Sequence, residues 1–274
     1  MNIAREIFPH ASFLTFLFGA CVGSFLNVCI YRIPRDESVI SPRSHCPQCN
    51  HLIAWYDNVP VLSFFLLRRK CRYCQIPISP RYVIVEIITA IVFIFIGSKY
   101  ALSFQTPIYW MVAFGLILGA FIDLEHMIIP DRVTWGGILI GLVCSIFVPE
   151  LHGVQNRLDG LKASAIGAGL GFGMLWGVAC LGRFVFKRDA MGFGDVKLIA
   201  AIGAFMGWEA VLFTIMISSF VGSGVGLCLI AWGGKRFQSK IPYGPYLSFA
   251  AIVWILWGCE WWQSYMNWLI VQSL

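Results

Sequence analysis

The sequence predicts an all-α polytopic membrane protein with about eight transmembrane helices and one small extramembrane segment. Of its 274 residues, 58% are hydrophobic and only 12% are charged, whereas about 25% of the residues are charged in an average soluble domain. The mean hydropathy is +0.75, and the apolar residues form runs long enough to cross a bilayer. This composition excludes a disordered chain, a small disulfide-bonded scaffold and a soluble globular domain.

Apolar windows of about 17–25 residues mark the helices that cross the membrane. The first window continues past Cys21 to Ile30, so we expect a retained helix rather than a cleaved signal peptide. The sixth window is short, and we expect it to form a helical hairpin with the seventh around Gly207. The predicted spans are 11–31, 83–100, 107–122, 133–150, 161–182, 196–208, 210–232 and 247–269.

The basic residues predict the orientation of these helices. Sixteen of the 20 Lys and Arg fall on one side of the predicted spans and only four on the other, which is the pattern of a positively charged cytoplasmic face. This bias also accounts for the net charge of +6, so it indicates membrane lipid as the surroundings and no nucleic-acid partner. Both termini should face outward, and the loops expected in the cytoplasm are 32–82, 123–132, 183–195 and 233–246.

The organisation expected from these spans has three parts: a first transmembrane helix (1–31), a cytoplasmic segment (32–82) and a transmembrane helix bundle (83–274). The cytoplasmic segment carries two Cys-x-x-Cys pairs with 21 residues between them. Two such pairs can bring four thiolates into a tetrahedron, which suits Zn²⁺. The sequence therefore predicts a zinc-ribbon-like segment with a closed, structural zinc site, and its ligands would be Cys46, Cys49, Cys71 and Cys74.

Two other interpretations of this cysteine tetrad stay open, namely four plain thiols and a redox pair. The cytosol is reducing, so a disulfide is the weaker alternative. The cations Arg69, Lys70 and Arg72 lie beside the second pair and would favour thiolate formation. His45 and His51 flank the first pair and could replace a cysteine as ligand, although histidines in loops are usually solvated.

Two carboxylates are predicted at the cytoplasmic ends of helices. Asp123 directly follows the apolar run 118–122, and Asp195 closes the motif Met191-Gly-Phe-Gly-Asp195 before the next span. A charge at this depth is costly unless it is paired or hydrated. Two carboxylates that approach each other share a proton, so one can act as general base on a water and the other as general acid toward a carbonyl. This is the chemistry of aspartic proteolysis.

The glycines of the same motif are predicted to bind a substrate peptide. Gly192 and Gly194 have no Cβ, so the backbone beside Asp195 could adopt a positive φ and let an extended peptide pair with it. A simpler interpretation also stays open for each aspartate taken alone. Either one could be an ordinary interfacial residue, and Asp195 could cap a helix that begins at Val196.

Two further acidic residues have structural interpretations. Asp131 follows Pro130, and this pair is predicted to begin a helix. Glu86 lies within the second span, near its cytoplasmic end, and should pair with a neighbouring helix or loop. Arg81 is one candidate for that partner.

These residues belong to motifs that are spread along nearly the whole chain. In order, the motifs are Gly23-Ser-Phe-Leu-Asn-Val-Cys-Ile-Tyr-Arg-Ile-Pro34, the cysteine tetrad with Trp55-Tyr-Asp-Asn-Val-Pro60 between its halves, Arg81-Tyr-Val-Ile-Val-Glu86, Ile122-Asp-Leu-Glu-His-Met-Ile-Ile-Pro-Asp131, Met191-Gly-Phe-Gly-Asp-Val-Lys197 and Pro242-Tyr-Gly-Pro245. Together they resemble the type IV prepilin peptidases, the leader peptidase/N-methyltransferases of bacterial inner membranes, which belong to the GxGD class of aspartic proteases. So many motifs in the same order make the resemblance specific.

The resemblance implies an activity and its site. The substrate would be a prepilin or pseudopilin of type IV pili or type II secretion, cleaved on the cytoplasmic side at a Gly/Phe junction that follows a short basic leader. Asp123 and Asp195 match the catalytic pair, and the tetrad matches what looks like a zinc site. The same protein usually methylates the new amino terminus from S-adenosylmethionine, a step linked to the cytoplasmic loop. The run Arg69-Lys70-Cys71 departs from the Gly-Lys-Cys run of many relatives.

Three alternative functions account for part of the sequence. A proton-coupled transporter would use carboxylates as proton relays, but it would place them at mid-membrane in two repeated halves, and the sequence has neither feature. A non-enzymatic zinc-ribbon adaptor would explain the tetrad and leave the Gly-Phe-Gly-Asp motif without a purpose. The third alternative is a peptidase without methyltransferase activity, because the chain has no Rossmann-type glycine loop that would independently indicate a methyltransferase.

Overall fold

The computed structural model describes residues 3–101, 103–187, 191–232 and 241–272, without the side chains of 3–11 and 186. Within these residues the chain is nearly all helical and contains two isolated β-bridges and no strand, which confirms the predicted all-α class. Four basic residues of the predicted cytoplasmic loops lie outside the described residues: Arg188, Lys235, Arg236 and Lys240.

Long helices account for most of the described chain. Five of them are long and apolar enough to cross a membrane, because their apolar runs match the thickness of a bilayer core. In chain order the α-helices are α1 (Ile3–Arg32), α2 (Leu62–Leu66), α3 (Arg81–Tyr100), α4 (Gln105–His126), α5 (Asp131–Phe147), α6 (Arg157–Phe186), α7 (Phe193–Ala231), α8 (Gly244–Val253) and α9 (Cys259–Gln272).

Every predicted span coincides with a helical segment of the described chain. Helix α7 accounts for the sixth and seventh spans, and a π-helical turn at Trp254–Gly258 joins α8 to α9 in the eighth. The helices extend a few residues beyond the predicted spans at most ends because their last turns contain polar residues that hydropathy does not count.

Helix α7 is broken at Gly207, as the short sixth span predicts. Gly207 has φ 82° and ψ −179°, a backbone conformation that favours glycine because other residues carry a Cβ. The break separates an arm at 193–206 from an arm at 208–231. A Cβ added at Gly203 would lie only 2.8 Å from Val211 Cγ2, which shows that the second arm turns back against the first.

The contacts divide the chain into two compact units, Met1–Thr106 and Pro107–Leu274. In the first unit α1 packs directly on α3. A Cβ added at Gly19 would lie 2.8 Å from Ala90 Cα, and one added at Gly23 would lie 2.7 Å from Glu86 Cα. Small residues permit such backbone contact in a membrane, where association between helices relies on close packing. The three-part division into 1–31, 32–82 and 83–274 stays a prediction.

The second unit is built around the first arm of α7. Every residue from 195 to 207 is buried, as expected for a helix that is apolar on all sides. Helix α6 approaches this arm through Gly167, where an added Cβ would lie 2.3 Å from Gly203 O, and α5 approaches it through Gly141, where an added Cβ would lie 2.8 Å from Ala204 Cβ. The arm that begins with Asp195 is therefore held by backbone contacts on two sides.

Helix α6 offers a matched test of this packing. Gly167→Ala would push a methyl group into the backbone of α7, so we expect it to lower the free energy of unfolding by roughly 1–3 kcal/mol. Gly169→Ala is the control on the same helix, because a Cβ there would meet nothing within 4 Å, and alanine favours a helix over glycine. Thermal unfolding in detergent measures both variants. Equal stability of the two would contradict the close approach of α6 and α7.

Candidate functional site

Asp123 lies near the end of α4 with 5% of its surface exposed. Its Oδ2 accepts a hydrogen bond from the backbone N–H of Gly244 at 3.0 Å, where Gly244 begins α8. The approach requires glycine, because a Cβ at this position would lie 2.8 Å from Asp123 Oδ2. The Pro242-Tyr-Gly-Pro245 motif therefore supplies a direct partner to the first aspartate, a role that the sequence alone did not predict.

Asp195 is the third residue of α7 and is 7% exposed. The N-cap of this helix is Gly192, and the helix begins at Phe193. The alternative in which Asp195 caps a helix beginning at Val196 is therefore wrong.

The structure brings the two aspartates together within the second unit. Their carboxyl groups are close enough to interact electrostatically, and the buried side chain of Ile129 packs against Gly194, the neighbour of Asp195, and against Gly244, the hydrogen-bond donor to Asp123. A Cβ added at Gly194 would lie 3.2 Å from Ile129 Cβ, and one added at Gly244 would lie 3.1 Å from Ile129 Cδ1. Two buried carboxylates are thus held at one site by the ends of α4, α7 and α8 and by the loop before α5.

The two glycines of the motif act through close packing and not through an unusual backbone. Gly192 has φ −70° and ψ 138°, and Gly194 lies inside α7, so the positive φ expected beside Asp195 is wrong. A Cβ at Gly192 would lie 3.3 Å from Asp195 Oδ2, and one at Gly194 would press on Ile129. The extended Gly192 is also exposed, which leaves its backbone accessible to another chain.

An ion pair beside the aspartates was missed by the sequence analysis. Asp131 begins α5, as predicted, and its Oδ1 pairs with the ammonium of Lys197. Lys197 is buried, with 7% exposed, and its Nζ lies 5.3 Å from the ring centroid of Phe193. The sequence carried one indication of this pair. Lys197 stands two residues after Asp195 and therefore lies in the first turns of the same buried helix arm.

The four cysteines of the tetrad converge in the first unit. All four Sγ atoms lie within 4.8 Å of one another, and Cys46 Sγ is 3.8 Å from Cys74 Sγ. Four thiolates around a tetrahedral ion with bonds of about 2.3 Å would stand roughly 3.8 Å apart. The cluster can therefore hold a metal ion, as the spacing of the cysteines predicts.

Each Cys-x-x-Cys pair forms the same loop. The N–H of Cys46 donates to His51 O at 3.0 Å, and the N–H of Cys71 donates to Ile76 O at 2.9 Å. Asn50 and Gln75 each stand four residues after the first cysteine of the pair and have φ 55° and 58°. Neither histidine beside the first pair belongs to the sulfur cluster, since the ring of His51 instead stacks on Tyr73 with centroids 3.4 Å apart.

The two thiols of the second pair differ in pKa. Backbone N–H groups of Cys74 and Tyr73 lower the pKa of the Cys71 thiol to about 7, which favours the thiolate that binds metals. The Ile76 N–H also lowers the pKa of Cys74, but burial and the neighbouring thiols outweigh it and raise that pKa to about 11. Arg69, where many relatives have glycine, has φ 62°. Glycine adopts this conformation without strain, which explains why glycine suits this position; nothing in the structure explains the arginine.

The loop is tied to α3 by the buried Glu86. Its Oε2 accepts the N–H of Val61 at 2.7 Å, so the partner of Glu86 is a loop backbone and not the candidate Arg81, whose guanidinium lies 5.1 Å from the ring centroid of Tyr82. A second interaction lies within the loop, where the Arg72 guanidinium donates hydrogen bonds to both carboxylate oxygens of Asp57. That guanidinium holds the pKa of Asp57 below its usual value.

Comparison with known proteins adds sequence relationships to this geometry. Residues 17–100 match the model of the bacterial peptidase A24 N-terminal domain, and residues 110–227 match the model of the type IV leader peptidase family. The two matches cover the cysteine cluster and both aspartates. No solved structure matches the chain.

Curated relatives extend over most of the chain. A protein of Aeromonas hydrophila is 35% identical over 95% of this chain and 94% of its own length. One of Pseudomonas aeruginosa is 30% identical over 92% of both chains, and one of Myxococcus xanthus is 38% identical over 83% of this chain and 65% of its own. Each of these relatives is named prepilin leader peptidase/N-methyltransferase.

The pair between Lys197 and Asp131 should show an asymmetry on mutation. Asp131→Asn leaves a buried ammonium without its counter-ion, whereas Lys197→Met leaves an aspartate whose side chain is 69% exposed and can be hydrated. We expect Asp131→Asn to lower the unfolding free energy by about 1–3 kcal/mol and Lys197→Met to lower it less. Unfolding in detergent measures both, and the double variant should recover much of the loss. A larger loss for Lys197→Met alone would contradict this account.

Proposed function

The chain belongs to the type IV leader peptidase family, and we propose that it is a membrane aspartic endopeptidase that removes the basic leader from type IV prepilins or pseudopilins and N-methylates the new terminus. One observation carries the peptidase half of this proposal, namely the two buried carboxylates of Asp123 and Asp195 at a single site. The names of the relatives support both halves.

In this proposal the two carboxylates divide the roles of base and acid. Asp123 is the general base, because the Gly244 N–H that it accepts stabilises a carboxylate. Asp195 is the general acid and donates a proton to the carbonyl oxygen of the scissile bond. The water oxygen forms the new C–O bond, the C–N bond breaks, and the leaving amine takes the proton that Asp123 removed from the water.

The substrate would bind as an extended peptide beside Asp195. Gly192 has extended dihedral angles and is exposed, so its backbone can pair with a substrate strand as an added β-strand does. The predicted contribution of Gly194 would be indirect, through the space that it leaves for Ile129. Cleavage next to the start of an apolar substrate helix fits a site at the end of membrane-spanning helices.

The protein is a multi-pass inner-membrane protein, and we propose that its active site faces the cytoplasm. The support is the charge bias, because sixteen of the 20 basic residues flank the same ends of the predicted spans as Asp123 and Asp195. Prepilin leaders are basic, and the same bias would keep them on that side of the membrane before cleavage.

The ion in the cysteine cluster would be zinc with a structural role. Four sulfurs within 4.8 Å of one another fit a tetrahedral thiolate site, and a site whose four ligands are all protein groups has no open position for catalysis. Cys46, Cys49, Cys71 and Cys74 would hold the ion and join the two loops of the segment.

The methyl donor would be S-adenosylmethionine. The donor supplies a methyl group on a sulfonium: the amine nitrogen forms the new N–C bond, the S–C bond breaks with its electron pair remaining on sulfur, and the amine gives up one proton. The chain must therefore bind a cationic donor and accept a proton from the substrate amine.

The catalytic pair is tested by conservative substitution. We expect Asp123→Asn and Asp195→Asn each to slow leader removal by roughly 10²–10⁴-fold, because the pair loses its base or its acid. Asp131→Asn is the matched control and should retain most of the activity. Mass spectrometry of a prepilin incubated with purified protein in detergent measures cleavage and any added methyl group together. Near-normal cleavage by either folded variant would refute the assignment.

The metal is tested by elemental analysis. We expect freshly purified protein to carry one zinc per chain, and Cys46→Ser to lose it and to destabilise the segment 32–82, because structural zinc contributes folding free energy. Cys180→Ser is the control, since that cysteine is exposed on α6 and distant in sequence from the cluster. Wild-type protein without zinc, or a Cys46→Ser variant that retains it, would contradict the prediction.

A further inference from the structure

The first unit contains a cavity of about 410 Å³ that the peptidase chemistry does not use. It is bounded by α1, by the loop with the cysteine cluster and by α3, and its volume is in the range of pockets that bind drug-sized ligands. Most of its wall area is apolar, and the charged residues that line it are Arg32, Asp57, Arg72 and Glu86. The lining residues that the argument uses are Asn27, Glu86, Tyr31, Tyr73 and Tyr82.

Glu86 places a buried carboxyl group in the wall of the cavity. Its side chain lines the cavity and the residue is 9% exposed. Within the described part of the chain its partners are hydrogen-bond donors, the Val61 N–H and the Ser24 hydroxyl, and no cationic side chain pairs with it. A buried carboxylate without a counter-ion is costly, so the position beside Glu86 favours a positively charged group of a ligand.

Asn27 adds an unused acceptor to the same wall. The residue is 3% exposed, and its Nδ2 donates to Tyr82 O at 2.9 Å and to Gly23 O at 3.3 Å. Its Oδ1 is buried and accepts no hydrogen bond from any described residue. Buried polar atoms nearly always have a hydrogen-bond partner, so a ligand with an N–H group that donates to this oxygen is favoured.

The backbone at the cavity wall is held in an uncommon conformation. Val61 has φ 62° and ψ −53°, which costs energy for a β-branched residue and persists only when the surroundings impose it. The hydrogen bond to Glu86 holds this conformation. The loop, the Glu86 carboxylate and α3 therefore form a preorganised wall of the cavity.

We propose that this cavity binds the sulfonium methyl donor, S-adenosylmethionine, with Glu86 facing its positive charge and Asn27 Oδ1 accepting one of its N–H groups. The inference rests on the proposed N-methylation and names the residues that would serve it. The tyrosine rings of the wall suit a purine, since bases stack on aromatic side chains. Arg69 does not contribute to the wall, whose lining residues on this stretch pass from Leu67 to Cys71, so the departure from glycine leaves the cavity intact.

The test measures binding directly, without requiring turnover. Equilibrium dialysis of purified protein with labelled S-adenosylmethionine should give a Kd that Glu86→Gln weakens at least about tenfold, or about 1.4 kcal/mol. The same variant should weaken the binding of S-adenosylhomocysteine, the neutral thioether, much less. Glu37→Gln is the matched control, because Glu37 lies in the same unit, is exposed and does not line the cavity.

Leader cleavage by the same preparations separates this inference from the proposed function. Glu86→Gln should cleave prepilin normally while its product loses the added methyl group. A variant that cleaves normally and binds the donor as wild type does would overturn the inference alone. Wild-type protein that neither cleaves nor methylates prepilin would overturn the proposed function, whatever the donor affinity.

A second measurement uses only wild-type protein, so it tests the proposal even when the Glu86→Gln variant fails to fold. Ultraviolet irradiation with labelled S-adenosylmethionine, followed by peptide mapping, should place the label on segments that line the cavity, such as those containing Tyr31 or Tyr82. Unlabelled S-adenosylhomocysteine should compete for this labelling. Label confined to residues 107–274, or no label that the competitor displaces, would overturn the assignment.

Discussion

The hydrogen bond from the Gly244 N–H to Asp123 is the interaction on which the candidate active site depends. It fixes the first carboxylate on the start of α8, a helix 121 residues further along the chain. A backbone donor can approach this closely only because residue 244 has no Cβ. Ile129 packs against Gly244 and Gly194 alike, so it links the start of α8 to the turn of α7 that carries Asp195. Without it, a buried carboxylate at a membrane edge would lack a donor and would not be retained there.

Close helix packing supplies the rigidity that this arrangement needs. In lipid there is little hydrophobic force between helices, so association depends on van der Waals contact between small residues. The first arm of α7 meets α6 at Gly203 and α5 at Ala204, and the break at Gly207 ends that arm before it crosses a full bilayer. Asp195 is consequently carried on a short buried helix that cannot shift without disturbing two neighbours. A proton-relay function would need mobile or solvated carboxylates along a path, and these two are packed at one end.

Local chemistry explains which parts of this structure could be predicted from the sequence. The helices follow from apolar runs, and the cysteine cluster follows from spacing, because each Cys-x-x-Cys pair folds largely through its own backbone hydrogen bonds. Asp123 and Asp195 were predicted from their positions after and before apolar runs. The Gly244 contact and the Lys197–Asp131 pair were not predicted, since they join residues far apart in sequence. The expected positive φ beside Asp195 was wrong because close packing, which sequence cannot show, also selects glycine.

A buried carboxylate that accepts one backbone N–H occurs in both units and connects the two proposals. Asp123 and Glu86 are buried carboxylates, and each accepts one backbone N–H from a distant loop or helix start, Gly244 in one case and Val61 in the other. One such donor compensates only part of the cost of burying a charge. In the second unit a second carboxylate shares the proton, which makes a pair suited to general acid–base catalysis. In the first unit the other carboxylate that lines the cavity, Asp57, is already bound by Arg72, so the remaining charge of Glu86 is best satisfied by a cationic group that enters from outside. The site in the second unit is completed by a proton and the one in the first unit by an organic cation. The two carboxylates therefore support different chemistry.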